Sequence, residues 1–249
     1  MHSLSIIVPA YNEEARLPAT LELVKAAKDK GIFNSVQLRE VWIIDDGSRD
    51  KTAQIAKNFS PSLPELRVHS VVPNQGKGNA IHAGLGLAQS EWCLIADADS
   101  ATPWDQFIPL SKACFDQSSQ GAAIAMGSRD IEGSVRKERQ SWIRENLGRL
   151  FNHAVRWITG LPFKDTQCGF KLIHMQSIRP FLRLLRVKRF AWDVELLLFA
   201  KRAGLTMVEV PVIWEHQEGS RINPLKDGIE MVLRVVQMRI RIAFLPVSS

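Results

Sequence analysis

The chain of 249 residues is long enough for one large domain or two small ones, with ample core. Its 45% hydrophobic and 23% charged residues exclude a disordered or fibrous protein. A formal charge of +6, from 32 basic and 26 acidic residues, favours an anionic partner: a nucleotide, a phospholipid surface or a nucleic acid. No apolar run approaches the roughly eighteen residues of a membrane span, and the N-terminus enters a strand without a basic leader. Neither a transmembrane segment nor a signal peptide is expected. Cys93, Cys114 and Cys168 are odd in number and widely spaced, as reduced, mostly buried thiols of a cytosolic protein would be.

In chain order, Leu4 to Val8 is a β-rich run closed by Pro9, and Glu13 to Lys28 carries Leu17, Leu21 and Val24 at helical spacing. Val41 to Ile44 is a second apolar strand, ending in Asp45-Asp46-Gly47-Ser48. Asp50 caps a helix running to about Phe59. Leu66 to Val72 is a third strand and Gly78 to Ala88 a third helix. Trp92 to Ala96 is the fourth strand, and Ala122 to Met126 a fifth. Near-continuous apolar strands alternating with helices predict a parallel sheet with helices on both faces.

The fourth strand ends in Asp97-Ala98-Asp99, and Pro103 turns the chain just beyond. Two carboxylates two residues apart share a face at the carboxyl end of a strand, where open α/β sheets bind ligands. They repel each other unless a cation lies between them, and hard oxygen ligands suit Mg2+ or Mn2+. The competing explanation is ordinary turn chemistry, since Asp and Ser are common turn residues. Three other strand ends are polar in a matching way: Pro9-Ala10-Tyr11-Asn12-Glu13, Asp45 to Ser48, and Pro73 to Gly78. In the last, glycines admit a close backbone approach and Lys77 places a cation near a helix start. There is no Walker loop and no dinucleotide fingerprint. Together the four ends form the layout of a nucleotide-sugar pocket, with Asp45 or Asp46 accepting from a base N–H and the paired Asp holding metal on the diphosphate.

These motifs, Ile6-to-Glu14, Ile44-Asp45-Asp46-Gly47-Ser48-x-Asp50-x-Thr52, Asn74-x-Gly76-Lys77-Gly78-x-Ala80 and Asp97-Ala98-Asp99, resemble those of the family 2 glycosyltransferases. The similarity runs through Gly127-Ser128-Arg129, Asp165 to Lys171, Trp192-Asp193-Val194-Glu195 and Glu209-Val210-Pro211 to Gly219-Ser220-Arg221. Within the family the chain is most similar to the polyprenyl-phosphate branch. The resemblance implies a Rossmann-like, glycosyltransferase A-type α/β domain with a mostly parallel sheet and amphipathic accessory helices. It also implies donor contacts from Pro9, Tyr11, Glu13, Asp45, Asp46, Lys77 and Asp97, and a metal on Asp97 and Asp99. Mannosyl members of the branch carry a ligating Gln two residues past the second Asp. Here that position is Ala101, as in the glucosyl members, which favours UDP-glucose over GDP-mannose as donor.

A polyprenyl phosphate acceptor brings an anionic oxygen and needs no base; it needs cations that align that oxygen behind the anomeric carbon. Arg129, Arg139 and Arg221 are the candidate clamps, because the planar guanidinium binds two phosphate oxygens at once. Gln167 and Asp193 are further candidates for the acceptor site, though Asp193 and Glu195 at a helix start also suit the helix dipole. Two other readings stay open: transfer to a glycan or protein hydroxyl, with Asp193 as base, and a non-catalytic nucleotide-sugar binder. No nucleic-acid motif accompanies the positive charge.

Two segments bear on where the acceptor comes from. Ile143, Leu147, Leu150, Phe151, Ala154 and Ile158 recur at helical spacing beside Trp142 and Trp157, as do Ile229, Val232, Leu233, Val236, Ile240 and Phe244 beside Arg234, Arg239 and Arg241. Such helices lie in a membrane interface or pack on the core. The expected organisation is a transferase domain over 1–221, divided into a nucleotide-sugar half (1–128) and an acceptor half (129–221), with an amphipathic helix over 222–249. The expected location is the cytoplasmic face of a membrane, bound peripherally.

Overall fold

Runs of Ile, Val and Leu form the strands, and the polar clusters end them. A computed structural model describes residues 1–115, 121–137, 142–215, 217 and 224–244. Its chain order is β1 (His2–Ala10), α1 (Leu17–Asp29), β2 (Val36–Asp45), α2 (Thr52–Phe59), β3 (Leu66–Ser70), α3 (Lys77–Leu87) and β4 (Trp92–Ile95). Then come α4 (Phe107–Phe115), β5 (Ile124–Ser128), β6 (Val135–Arg136), α5 (Trp142–Thr159), β7 (Lys171–His174) and α6 (Met175–Leu182). The chain continues with α7 (Trp192–Arg202), β8 (Met207–Pro211), β9 (Ile213–Trp214) and α8 (Pro224–Phe244).

The main sheet has seven strands in the order β3-β2-β1-β4-β7-β5-β8, and β6 pairs with β9 separately. Its pairings are parallel except around β7, which runs antiparallel to both β4 and β5. Alternate strand residues point to opposite faces, and both faces are covered. Leu4, Ile6, Val8, Ile43 and Leu94 bury against α1, α2 and α4. Ile7, Ile44, Cys93, Ile95 and Ile173 bury against α3 and α5 to α8.

The boundaries differ from expectation for local reasons. α1 starts at Leu17 rather than Glu13, with Pro18 in its first turn, where a missing N–H costs nothing. β3 stops at Ser70 rather than Val72. β5 runs two residues past Met126, because Gly127 and Ser128 stay in register with Val210 and Pro211. Asp50 lies two residues before the first residue of α2, with Lys51 in the capping position, yet its carboxylate still accepts the Thr52 N–H at 3.0 Å. The three cysteines are free and buried, as expected, and burial pushes the Cys114 thiol up to about 12. Among the described residues no helix is long and apolar enough to cross a membrane.

Both amphipathic segments are helices, but their faces divide unexpectedly. On α5, Phe151 and Val155 are buried, while Leu150 and Trp157 (90% exposed) face outward. On α8 the core is met by Met231, Val235, Met238 and Ile242. Of the stripe read from the sequence, Leu233, Val236, Ile240 and Phe244 (85% exposed) face outward, whereas Val232 packs against the core and the side chain of Ile229 lies outside the described residues. α8 packs along α5 and against α7.

Candidate active site

Parallel strands deliver the loops after β1, β2, β3 and β4 to one end of the sheet. The first two are fastened side by side: Asn12 N–H donates to Ser48 Oγ at 2.9 Å, Glu13 N–H to Thr52 Oγ1 at 2.7 Å, and Arg49 N–H to Asn12 Oδ1 at 2.7 Å. Asn12 adopts a positive φ of 52° to do this, a conformation Asn tolerates. Pro9 and Ala10 pair with Ile44 and Asp45, so Tyr11 and Asp45 emerge from adjacent strand ends.

The adjacent acids of the second loop have different roles. Asp46 is a latch. Its carboxylate accepts Asn74 Nδ2 at 2.7 Å, the Gly76 N–H at 2.6 Å and the Gln75 N–H at 3.1 Å, so it builds the turn that leads into α3. Burial raises its pKa in spite of these bonds. Among the described residues, the Asp45 carboxylate accepts the Ser48 N–H alone, at 3.0 Å. Gly76 takes a φ of 104° against the segment before α7, where an added Cβ would stand 2.7 Å from the Lys188 carbonyl. Lys77 thereby reaches across to Asp97, Nζ to Oδ1 at 2.5 Å.

β4 ends at Ile95, so Asp97 and Asp99 stand in the turn beyond the strand rather than on it. Ser100, at a positive φ of 50°, tightens that turn, and Asp99 Oδ1 accepts the Ala101 N–H at 3.0 Å. Burial alone would raise both pKa values. The Lys77 ammonium more than offsets this for Asp97, which is held below the ordinary value. Asp99 is raised, by burial and then by the negative charge of Asp97. Arg16 also feels both acids, but Glu13 holds its guanidinium in a fork with two contacts of 2.7 Å. Glu13 thus orients a cation.

Asp97, Asp99, Arg129, Gln167, Trp104 and Trp214 line one cleft. Arg129 follows β5 directly, and Asp165 grips its fork, Nε to Oδ2 at 2.7 Å and Nη2 to Oδ1 at 2.8 Å, while Trp214 lies 5.6 Å from the guanidinium carbon. Burial would raise Asp165, but the Arg129 charge brings it down to about 2. Glu209 accepts the Asp165 N–H and the Ser128 hydroxyl, each at 2.8 Å. Gln167 turns its amide toward Met231 Sδ of α8 at 4.0 Å. Asp193 is buried at the start of α7, raised by burial with Lys171 partly offsetting, and is not among the residues lining the cleft. Arg139 and Arg221 lie outside the described residues. Lys171, Asp165 and Glu209, quoted from the sequence only as parts of motifs, prove central to the charge balance. Lys171 is fully buried, donates to the Cys168 carbonyl and lies 5.4 Å from the Trp192 ring.

The donor set fits a hard divalent cation. Among the described residues no cluster of three or more His, Cys, Asp or Glu could hold a metal. Mg2+, however, is commonly held by one or two carboxylates together with substrate phosphates and water. Lys77 donates to Asp97 and only partly offsets the raised Asp99, and Gly169 leaves the room: a Cβ there would come within 2.1–2.4 Å of the Asp97 carboxylate, its nearest neighbour. Gly169→Ala is therefore expected to swing Asp97 aside with little change in urea midpoint and to lower turnover about a hundredfold, as misplacement by about 1 Å can. A near-normal rate in that variant would show that the position of Asp97 is unimportant.

A family model described as "Glycosyl transferase family 2" matches residues 5–180. The dolichyl-phosphate β-glucosyltransferase of Dictyostelium discoideum is 34% identical over 242 residues, covering 96% of this chain and 74% of that protein. The human protein of the same name is 34% identical over 247 residues, covering 96% and 75%. Among solved structures, glucosyl-3-phosphoglycerate synthase from Mycobacterium tuberculosis, in complex with Mn2+, UDP-glucose and phosphoglyceric acid, aligns with a TM-score of 0.66 at 19% identity, covering 99% of this chain and 81% of that one. Mannosyl-3-phosphoglycerate synthase from Rubrobacter xylanophilus aligns with a TM-score of 0.69 at 17% identity, covering 97% and 75%. At these identities the two structures establish the fold alone.

Proposed function

The chain belongs to glycosyl transferase family 2, and we propose that within it the protein transfers glucose from UDP-glucose to a polyprenyl phosphate, with inversion at the anomeric carbon. One observation carries the acceptor class. Among the described residues lining the cleft the carboxylates are Asp97 and Asp99 alone, and no His is present. A hydroxyl acceptor needs a base within hydrogen-bond reach; a phosphate acceptor does not. The glucosyl preference is supported by Ala101 after the acid pair and by the similarity to dolichyl-phosphate β-glucosyltransferases.

In this reading an acceptor phosphate oxygen attacks the anomeric carbon as the bond to UDP breaks, the electron pair leaving with the diphosphate. Asp97 and Asp99 would hold Mg2+ or Mn2+, which supplies charge neutralisation for the diphosphate leaving group. Asp45 reads the base, since the Asp46 carboxylate is occupied by the 74–76 turn. Pro9, Tyr11 and Lys77 border the donor, and Glu13 acts through Arg16. Arg129 lines the acceptor side, with its fork fixed by Asp165. Gln167 lines the same side, and Arg139 and Arg221, outside the described residues, stay as the further clamps expected from the sequence, with donor and acceptor halves meeting near residue 128. Purified protein given labelled UDP-glucose or GDP-mannose, with polyprenyl phosphate or a hydroxyl acceptor, tests the reading. Label should enter the lipid phase from UDP-glucose. Transfer only from GDP-mannose, or only to the hydroxyl acceptor, would overturn it. Asp193→Asn should change the rate by less than about tenfold, whereas loss of a general base costs roughly a hundredfold or more.

The same acceptor requires contact with a bilayer, and we assign that contact to the outer stripes of α5 and α8 on the cytoplasmic face. Leu150, Trp157, Leu233, Val236, Ile240 and Phe244 are exposed, while a different set of residues on each helix meets the core. Interfacial helices expose this kind of apolar and Trp-bearing surface. Co-sedimentation with liposomes should follow, and substituting Phe244 and Ile240 by Ser should weaken it. Equal binding by that variant would remove the assignment.

A further inference from the structure

We propose that a second cavity, between the 186–190 segment and α8, binds the phosphate headgroup of an anionic bilayer phospholipid; this rests on the peripheral membrane reading above. The cavity holds about 400 Å3 and shares no lining residue with the cleft around Asp97 and Asp99. Its floor is apolar, with Val187, Phe190, Met231 and Met238. Its rim is basic: Arg186, Lys188, Arg189, Arg234 and Arg241 stand against one acid, Glu230.

These cations are not equally available. Arg241 donates to Glu195, Arg234 lies 3.4 Å from Glu230, and Lys188 Nζ donates to Gln75 Oε1 at 2.6 Å. Arg186 and Arg189 are exposed residues, and their guanidinium groups have no hydrogen bond or ion pair among the described residues. Arginine forks matched to no carboxylate suit a phosphate.

The cavity is also held in shape. Glu195 is fully buried and accepts the N–H groups of Arg186 (2.9 and 3.0 Å) and Val187 (2.8 Å) as well as the Arg241 guanidinium. One carboxylate thus ties both walls together. Its position relative to the membrane surface selects the ligand. On α8, Glu230, Arg234, Gln237 and Arg241 face the cavity, and the neighbouring stripe, at 100° per residue, is the exposed Leu233, Val236, Ile240 and Phe244. A bilayer against that stripe sets its headgroup layer at the mouth of the cavity.

The test uses vesicles of phosphatidylcholine with and without phosphatidic acid. The protein should bind the anionic vesicles more tightly, and the double variant Arg186→Gln/Arg189→Gln should lose about thirtyfold of that affinity while keeping its binding to neutral vesicles. Lys57→Gln/Lys112→Gln removes the same charge from α2 and α4 on the opposite face, and should change affinity less than about threefold. Equal losses in the two double variants would mean diffuse attraction, and no loss in the first would mean an idle cavity; either overturns the site. Turnover in detergent, without a bilayer, should keep its KM for polyprenyl phosphate in Arg186→Gln/Arg189→Gln. A raised KM would make the acceptor the occupant instead. Should the unmodified protein bind no vesicle at all, the membrane reading fails by itself. Glycerol 3-phosphate titrated by phosphorus NMR then decides the cavity: saturable binding lost in Arg186→Gln/Arg189→Gln reassigns it to a soluble phosphate, and no binding removes it.

Discussion

Asp99→Asn should lower kcat roughly a hundredfold or more, the usual scale for removing an electrostatic group that acts in the transition state. The size follows from how charge is distributed in the turn after β4. Lys77 donates directly to Asp97, whereas Asp99 accepts one backbone N–H beside a like-charged neighbour, and the Lys77 and Arg16 charges only partly offset that neighbour and burial. A divalent cation relieves that repulsion, so the Asn variant should lose affinity for metal along with rate. Two readouts separate this from a folding defect. Unmodified protein should gain thermal stability from Mn2+ together with UDP, by mass action on the folded state, and Asp99→Asn should gain much less. EDTA should abolish transfer, with Mg2+ or Mn2+ restoring it. The sign with pH is also fixed: a carboxyl raised above its ordinary value must lose its proton before it binds metal, so metal affinity falls as pH drops into that raised range. Full activity in chelator would end the metal role.

Strand runs such as Leu4 to Val8 and Trp92 to Ala96 declared themselves because parallel strands buried on both faces are apolar throughout. Their order of use and their helices on both faces followed. β7 did not show. Lys171–His174 is four residues long, and its place between β4 and β5 depends on neighbours at either side of the sheet. The α8 stripe was seen, but not which way it faces, because Met231, Val235, Met238 and Ile242 offer a second apolar stripe of similar quality.

In the site, the acid pair was legible because its chemistry lies in five consecutive residues. The division of labour between Asp45 and Asp46 was not, since it depends on the 74–76 turn about thirty residues away. Arg129 was found by its place in a motif, but its partner Asp165 is 36 residues on and its support Glu209 is farther still. Charge networks closed by the fold leave no local pattern. That is why Lys171, fully buried, had no role assigned from the sequence, and why Glu195 reads there only as an acid at a helix start rather than as the partner of Arg241.

Asp165→Asn tests the largest of those networks, and it should cost roughly 3–5 kcal/mol of stability, the usual penalty for breaking a buried pair from one side. The carboxylate is fully buried, accepts the Arg129 backbone N–H at 3.0 Å and takes both arms of its fork; the Asn amide can accept at one oxygen only and brings an unwanted donor toward the guanidinium. The dependence on pH identifies the cause. Asp165 is depressed in the folded protein to about 2, so its contribution is present above the unfolded value of 3.8 and is lost as pH falls through the folded one. That depression corresponds to about 2.5 kcal/mol. Urea midpoints of the parent and of Asp165→Asn should therefore differ by a constant amount from pH 7 to about pH 5 and converge as pH falls from there toward 2. Converging midpoints would assign the loss to the Arg129 charge left without its counter-ion. A gap that persists undiminished at pH 3 would assign it to packing, and Arg129 would then be a side chain that Asp165 merely touches rather than one it holds in place for the acceptor.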